Sequence, residues 1–121
     1  MSLQVRKFGL YYYLLRKNKI QFRYTVSDFT KLGGFSIVGP FLKSENSDIV
    51  RMAAEVIGVA TQNHPRCQET VLADENILSS LFDILKSPER HDNVKLKAVF
   101  AISCMYRIRA KSSRLQLLFL F

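Results

Sequence analysis

DIVRMAAEVIGVATQ at Asp48–Gln62 and NVKLKAVFAISCMYR at Asn93–Arg107 match each other residue class for residue class. Ala98 follows Ala53 by 45 positions and Ile102 follows Ile57 by the same 45, while PheLeuLysSer at 41–44 returns as IleLeuLysSer at 84–87 after 43. The unit is a little over forty residues, and the second copy carries two extra residues in its loop. A repeat of that length is one supersecondary unit that buries its apolar face only against a neighbouring copy.

Periodicity makes both stretches helices. In the first, Ile49, Met52, Ala53, Val56, Ala60 and Asn63 share a face at three- and four-residue steps, with Arg51, Glu55, Gly58 and Gln62 opposite. Val50, Ile57 and Val59 widen the apolar sector until little of the cylinder stays polar, as expected of a helix packed on two sides. In the second, Val94, Ala98, Ala101, Ile102 and Met105 share a face, and Leu96, Val99 and Phe100 extend it almost all round. Small residues such as Ala53, Ala54, Gly58, Ala98, Ala101 and Ser103 let neighbouring helices approach closely. A single core helix of an ordinary bundle would fit either copy but would not predict that they match. The reading is all-α, an α-solenoid of the HEAT or armadillo kind with about two repeats.

At 121 residues and 48% hydrophobic, the chain makes one modest domain with a core. The net charge of +8 invites a nucleic-acid or anionic-membrane reading, so where the charge sits matters more than its size. Residues 1–24 hold six Lys or Arg and no acid, and residues 107–121 hold four and no acid. Residues 25–106 hold eight against ten acids, so the repeat core is slightly acidic and the basic character belongs to the ends. That gives three segments: a basic aromatic arm at 1–25, a repeat domain at 26–106 and a basic, apolar tail at 107–121.

The arm reads two ways. Strict alternation at Ile20, Phe22, Tyr24 and Val26 suits a hairpin or an irregular arm as well as a helix. No apolar run approaches the ~18 residues a membrane-spanning helix needs. Further on, Ser27 or Asp28 is the expected cap of a short helix from Phe29 to the Gly33–Gly34 pair, and Ser47 or Asp48 that of the first long helix. Pro40 should bend or start the helical piece at Phe35–Leu42, and Pro65 should end the long helix by pushing His64 out of helical geometry. A short helix at Arg66–Ala73 and another at Ile77–Leu85, with Leu78, Leu81, Phe82 and Leu85 inward, complete a short, medium and long rhythm that favours armadillo over the two-helix HEAT unit.

The chemical inventory points away from catalysis. Cys67 and Cys104 form no CxxC, and with His64 and His91 they lack metal-ligand spacing, so neither metal nor cofactor is expected. Cys104 reads as a small core residue and Cys67 as a partly exposed thiol; reduced thiols suit a cytosolic or nuclear setting better than secretion, and the cytoplasm is the expected location. No Ser, Cys or carboxylate is placed to form a triad with His64, and Gly33–Gly34 lacks the Lys-Ser or Lys-Thr of a phosphate loop. No catalytic residue is assigned, and the chain is expected not to be an enzyme.

FTKLGGF at Phe29–Phe35, LKSEN at Leu42–Asn46, AAEVIG at Ala53–Gly58, QNHP at Gln62–Pro65 and KAVFAISC at Lys97–Cys104 occur in order across about eighty residues. Together they resemble the armadillo-type nucleotide exchange factors of heat-shock protein 70. The resemblance covers Val26 to about Tyr106 and neither end. It implies a curved solenoid that grips the nucleotide-binding domain of the chaperone and promotes ADP release without touching the nucleotide. In such stacks the third helix of each unit lines the concave groove, which nominates Arg51, Glu55 and Gln62 from the first long helix and Lys95, Ser103 and Arg107 from the second as partner-binding residues. The bland reading of those residues is a solvated face with local pairs such as Arg51 with Glu55. Asn63 is expected on the inner face, bonded to backbone carbonyls.

Two repeats are fewer than the ~3 a solenoid usually stacks, so a truncated form of a longer exchange factor is expected. The alternative function is an armadillo-type interaction adaptor without exchange activity. A third reading, basic ends on RNA or acidic lipid, remains beside these, although neither nucleic acid nor membrane is the expected partner.

Overall fold

The computed structural model describes residues 2–106; the basic, apolar tail read at 107–121 and the nominated Arg107 lie outside the described residues. The chain runs as α1 (Leu3–Lys17), α2 (Lys19–Tyr24), α3 (Val26–Lys31), α4 (Gly34–Val38), a 3-10 turn (Gly39–Lys43), α5 (Ser47–Thr61), α6 (Pro65–Leu72), α7 (Glu75–Lys86) and α8 (Asp92–Tyr106). No strand occurs among the described residues. Two armadillo-like units follow one another: α3, α4 with the 3-10 turn, and α5; then α6, α7 and α8. Each boundary of α8 lies 45 positions after the matching boundary of α5, so the repeat seen in the sequence is a repeat of structure.

Helix α5 is the centre of the stack. It packs along α8 and also meets α1, α2, α4, α6 and the 3-10 turn. Val50, Ala53, Ala54, Val56, Ile57 and Ala60 are fully buried on one side, and Glu55, Gly58 and Val59 are buried on the other, so α5 is covered around its whole circumference. Gly58 lets α8 come close: a Cβ there would stand 2.4 Å from the Phe100 ring and 3.3 Å from the Ala101 Cα. One polar side chain ties α6 to α8 within the second unit, and another joins the two units. Buried Gln68 donates from Nε2 to the Cys104 carbonyl at 2.7 Å, and Arg90 in the α7–α8 loop donates to the Ser44 carbonyl before α5 at 2.8 Å.

Where α3 gives way to α4, the two glycines serve different ends. Gly33 has φ +76°, the left-handed conformation that closes α3 without a Cβ penalty. Gly34 sits against Phe29, whose ring atoms a Cβ would meet at 2.4–2.6 Å. That ring cannot swing aside, because Tyr11, Phe22 and Phe35 pack on it with centroids at 4.8, 5.9 and 5.0 Å. Gly34→Ala is therefore expected to destabilise the protein by about 1–3 kcal/mol, the usual range for overpacking, despite alanine's better helix propensity. Urea unfolding monitored by circular dichroism will measure it.

The arm that sequence left between hairpin and helix is helical. The buried set Phe22, Val26 and Phe29 is spaced by four and three residues, and Ile20, an alternation partner of Phe22, is 69% exposed. Helix α1 fastens to the first unit through Phe8 and Leu15, with Phe8 stacked on Phe41 at 4.6 Å.

The caps differ from expectation. Helix α3 starts three residues earlier than Phe29, with Thr25 at its N-cap and no side-chain capping bond from Ser27 or Asp28; the Thr25 hydroxyl donates instead to the Phe22 carbonyl. Helix α5 is capped by Asn46, whose Oδ1 accepts from both Asp48 N and Ile49 N, so Ser47 and Asp48 lie inside the helix. Pro40 marks the change from α4 to the 3-10 turn, and His64 is extended (φ −129°, ψ 91°) before Pro65, its Nδ1 capping α6 by accepting from Cys67 N. The core face of α7 is Ile77, Ser80, Leu81 and Ile84, one step round from the expected one; Leu78 and Leu85 remain at its margin and Phe82 is 40% exposed.

Expectations at four single positions are corrected. Asn63 is exposed rather than inward, because α5 ends at Thr61 and Asn63 takes the left-handed turn (φ 57°) that asparagine tolerates. Cys67 is fully buried rather than partly exposed, since the turn set by Pro65 points it inward to Thr30, whose Oγ1 lies 2.9 Å from its Sγ. Leu96 and Val99 are 68% and 47% exposed, so two of the three apolar residues that extend the face of α8 lie uncovered by the described residues, while Phe100 packs against the core.

Candidate partner-binding face

The polar side of the two long helices is organised by Glu55. Rather than lying on a solvated face beside Arg51, Glu55 is 1% exposed, beneath α1 and against α8. Its Oε1 is 3.3 Å from Lys97 Nζ of α8, and its Oε2 is 3.5 Å from Arg16 Nη1 of α1. Oε2 has no hydrogen-bond partner, so Arg16 supplies charge but no well-formed hydrogen bond. Lys97 also lies over the Phe100 ring at 5.9 Å, the same ring that fills the space left by Gly58. One buried carboxylate thus joins α1, α5 and α8, with Lys97 half-exposed and Arg16 59% exposed at its margin.

Sequence reasoning missed Arg16 and Lys97 as members of this group. Lys97 stood in the KAVFAISC motif, but an ion pair between helices far apart in the chain leaves no local spacing to read. Arg16 stood in an arm whose structure was open.

The other nominated residues are placed as follows. Arg51 is half-buried in the first half of α5, and Gln62 is the C-cap of α5, where it lines a cleft of about 320 Å³ with Ile20, Val26 and His64. Lys95 and Ser103 are half-buried on α8. By the 45-residue register Gln62 and Arg107 are mates, but the mates of Lys95 and Ser103 are the buried Val50 and Gly58, and those of Arg51 and Glu55 are Leu96 and Phe100. The six residues therefore do not form one repeated row along the stack.

Among the described residues no three His, Cys, Asp or Glu side chains gather as a metal site, and no helix is long and apolar enough to cross a membrane. Burial pushes the Cys67 thiol up from its ordinary value, against weaker downward pulls from the Thr30 hydroxyl and the Arg66 guanidinium. A thiol raised in this way stays protonated at neutral pH and makes a poor nucleophile.

Comparison with known proteins bears on the same core. The family model described as SIL1/FES1/HPBP1 C-terminal domain matches residues 25–113. The chain is also 37% identical over 84 residues to proteins named Hsp70-binding protein 1 from Homo sapiens, Mus musculus and Rattus norvegicus. That similarity covers 67% of this chain and 22% of each relative's length. The match across residues 25–113, most of the chain and the whole of its repeat core, places this chain in the SIL1/FES1/HPBP1 C-terminal domain family.

Proposed function

We propose that this chain is a co-chaperone that binds the nucleotide-binding domain of heat-shock protein 70 and promotes ADP release, acting in the cytoplasm and without catalytic chemistry of its own. The observation that carries this reading is the family match over residues 25–113, which spans the two-unit core and its long helices. The relatives' name, Hsp70-binding protein 1, supports the choice of partner. The contacts we assign are Arg51, Gln62, Lys95 and Ser103, with Arg107 beyond the described residues. Glu55 acts from beneath, through Lys97.

The mechanism required is linkage. A factor that binds the nucleotide-free chaperone more tightly than the ADP-bound one weakens ADP by the same factor, tenfold for each ~1.4 kcal/mol of difference. No side chain has to reach the nucleotide, and no metal or cofactor is involved on this side of the complex.

A second reading, an interaction adaptor without exchange activity, draws on the chain matching only 22% of its relatives' length. Release of a fluorescent ADP analogue from heat-shock protein 70, with and without the folded chain, separates the two. Accelerated release is the expected result. Binding without acceleration would replace exchange by the adaptor reading.

A further inference from the structure

Packing α1 onto the first unit uses only one of its two apolar faces. Phe8 and Leu15 point into the core, while Leu3, Leu10, Tyr13 and Leu14 on the opposite side are 58%, 55%, 57% and 40% exposed. The steps from Leu3 to Leu10 and Leu14 are seven and four residues, which set the three leucines in one stripe along the helix. Arg6, Lys7 and Lys17 are exposed among them, and the Lys17 ammonium lies 5.6 Å from the Tyr13 ring centroid. Arg16, by contrast, faces Glu55. Residues 1–24 contain no acid, and among the described residues no acid forms an ion pair with Arg6, Lys7 or Lys17.

A face that is both apolar and purely cationic narrows its partner. A second copy of the chain would set like charges against each other, which disfavours self-association through this side. Nucleic acid would satisfy the cations but leave three leucines without a use, since phosphate contacts need no aliphatic stripe. An anionic bilayer satisfies both, taking leucines at the headgroup boundary and holding Lys and Arg at its charged surface. At fifteen residues α1 is about 22 Å long, too short to span a ~30 Å hydrocarbon core, so it would lie in the plane of the interface.

We propose that the outward side of α1, formed by Leu3, Leu10, Tyr13 and Leu14 with Arg6, Lys7 and Lys17, is a docking surface for anionic lipid membranes. This side lies outside residues 25–113, so it stands apart from the chaperone reading of the shared core. Charge alone did not distinguish lipid from RNA in the sequence; the exposed leucines on the same side do.

The test is co-sedimentation of the full chain with phosphatidylcholine vesicles and with vesicles that also contain phosphatidylserine. The expected result is a preference for phosphatidylserine vesicles on the order of tenfold, reduced by added salt. Leu10→Ser with Leu14→Ser, and separately Arg6→Glu with Lys7→Glu, should each abolish most of that preference while the circular dichroism spectrum stays helical. Equal binding to both vesicle types would overturn the proposal. So would full binding by the leucine variant, which would assign the attraction to cations alone, whether in the arm or in the tail at 107–121. Preferential competition by single-stranded RNA that the leucine variant leaves unchanged would assign this side to nucleic acid instead. A dimer in sedimentation velocity that the leucine variant dissolves, with no vesicle binding, would assign it to a second copy.

Discussion

Ile57→Ala will lower the unfolding free energy by about 2–5 kcal/mol, whereas Ile102→Ala, at the equivalent position 45 residues later, will cost clearly less. Ile57 is 0% exposed on the helix that packs on α1, α2, α4, α6, α8 and the 3-10 turn, and removing its side chain leaves a cavity as well as the lost transfer energy. Ile102 is only half-buried, because α8 has no described neighbour on its outer side. The same asymmetry runs through other repeat mates: Ala54 is fully buried and Val99 is 47% exposed, and Arg51 is half-buried where Leu96 is 68% exposed. Position in the stack, rather than the residue, sets the energetic weight of a site. Chemical denaturation of the two variants measures the difference, and equal costs would mean that α8 is covered as fully as α5.

Lys97→Met is expected to destabilise the protein by about 2–3 kcal/mol, or roughly 10 °C in melting temperature. Removing one partner of a buried pair usually costs ~3–5 kcal/mol because the remaining charge is stranded. Glu55 is that stranded charge, 1% exposed, but Arg16 stays 3.5 Å away and part of the cost is avoided. Arg16→Met should cost well under 1 kcal/mol, as expected of an ion pair whose basic side chain is 59% exposed. Adding Glu55→Met to Lys97→Met should return most of the lost stability, because an apolar pair of similar volume faces no desolvation penalty. Thermal melts of the wild type, Lys97→Met, Glu55→Met and the double variant form the cycle, with Arg16→Met measured beside them. A double variant no better than Lys97→Met would show that the carboxylate contributes something other than this pairing.

Helix identity and the repeat were legible because both rest on local spacing. The three- and four-residue steps of α5 and α8, the Gly33 turn, the break at Pro65 and the core position of Cys104 all depend on residues within a turn or two. Long-range facts were not legible. Nothing near Glu55 in sequence marks it as buried, since its cations come from α1 and from α8. The arm stayed open because Ile20, Phe22, Tyr24 and Val26 alternate, while Phe22, Val26 and Phe29 follow helical spacing, and only the burial of the second set and the exposure of Ile20 decide between them. Asn46 was passed over as a cap because Ser47 and Asp48, both good capping residues, follow it directly. Of the nominated face, the two long helices are adjacent, but Glu55 lies beneath it rather than on it.

The central claim is that this two-unit core favours the nucleotide-free chaperone, and calorimetric titration of the full chain into the heat-shock protein 70 nucleotide-binding domain tests it most directly. Titrations without nucleotide and with saturating ADP should differ at least about tenfold in Kd, tighter without nucleotide, a coupling of ~1.4 kcal/mol or more. Equal affinity in the two states, or no binding by a folded sample, would contradict the account.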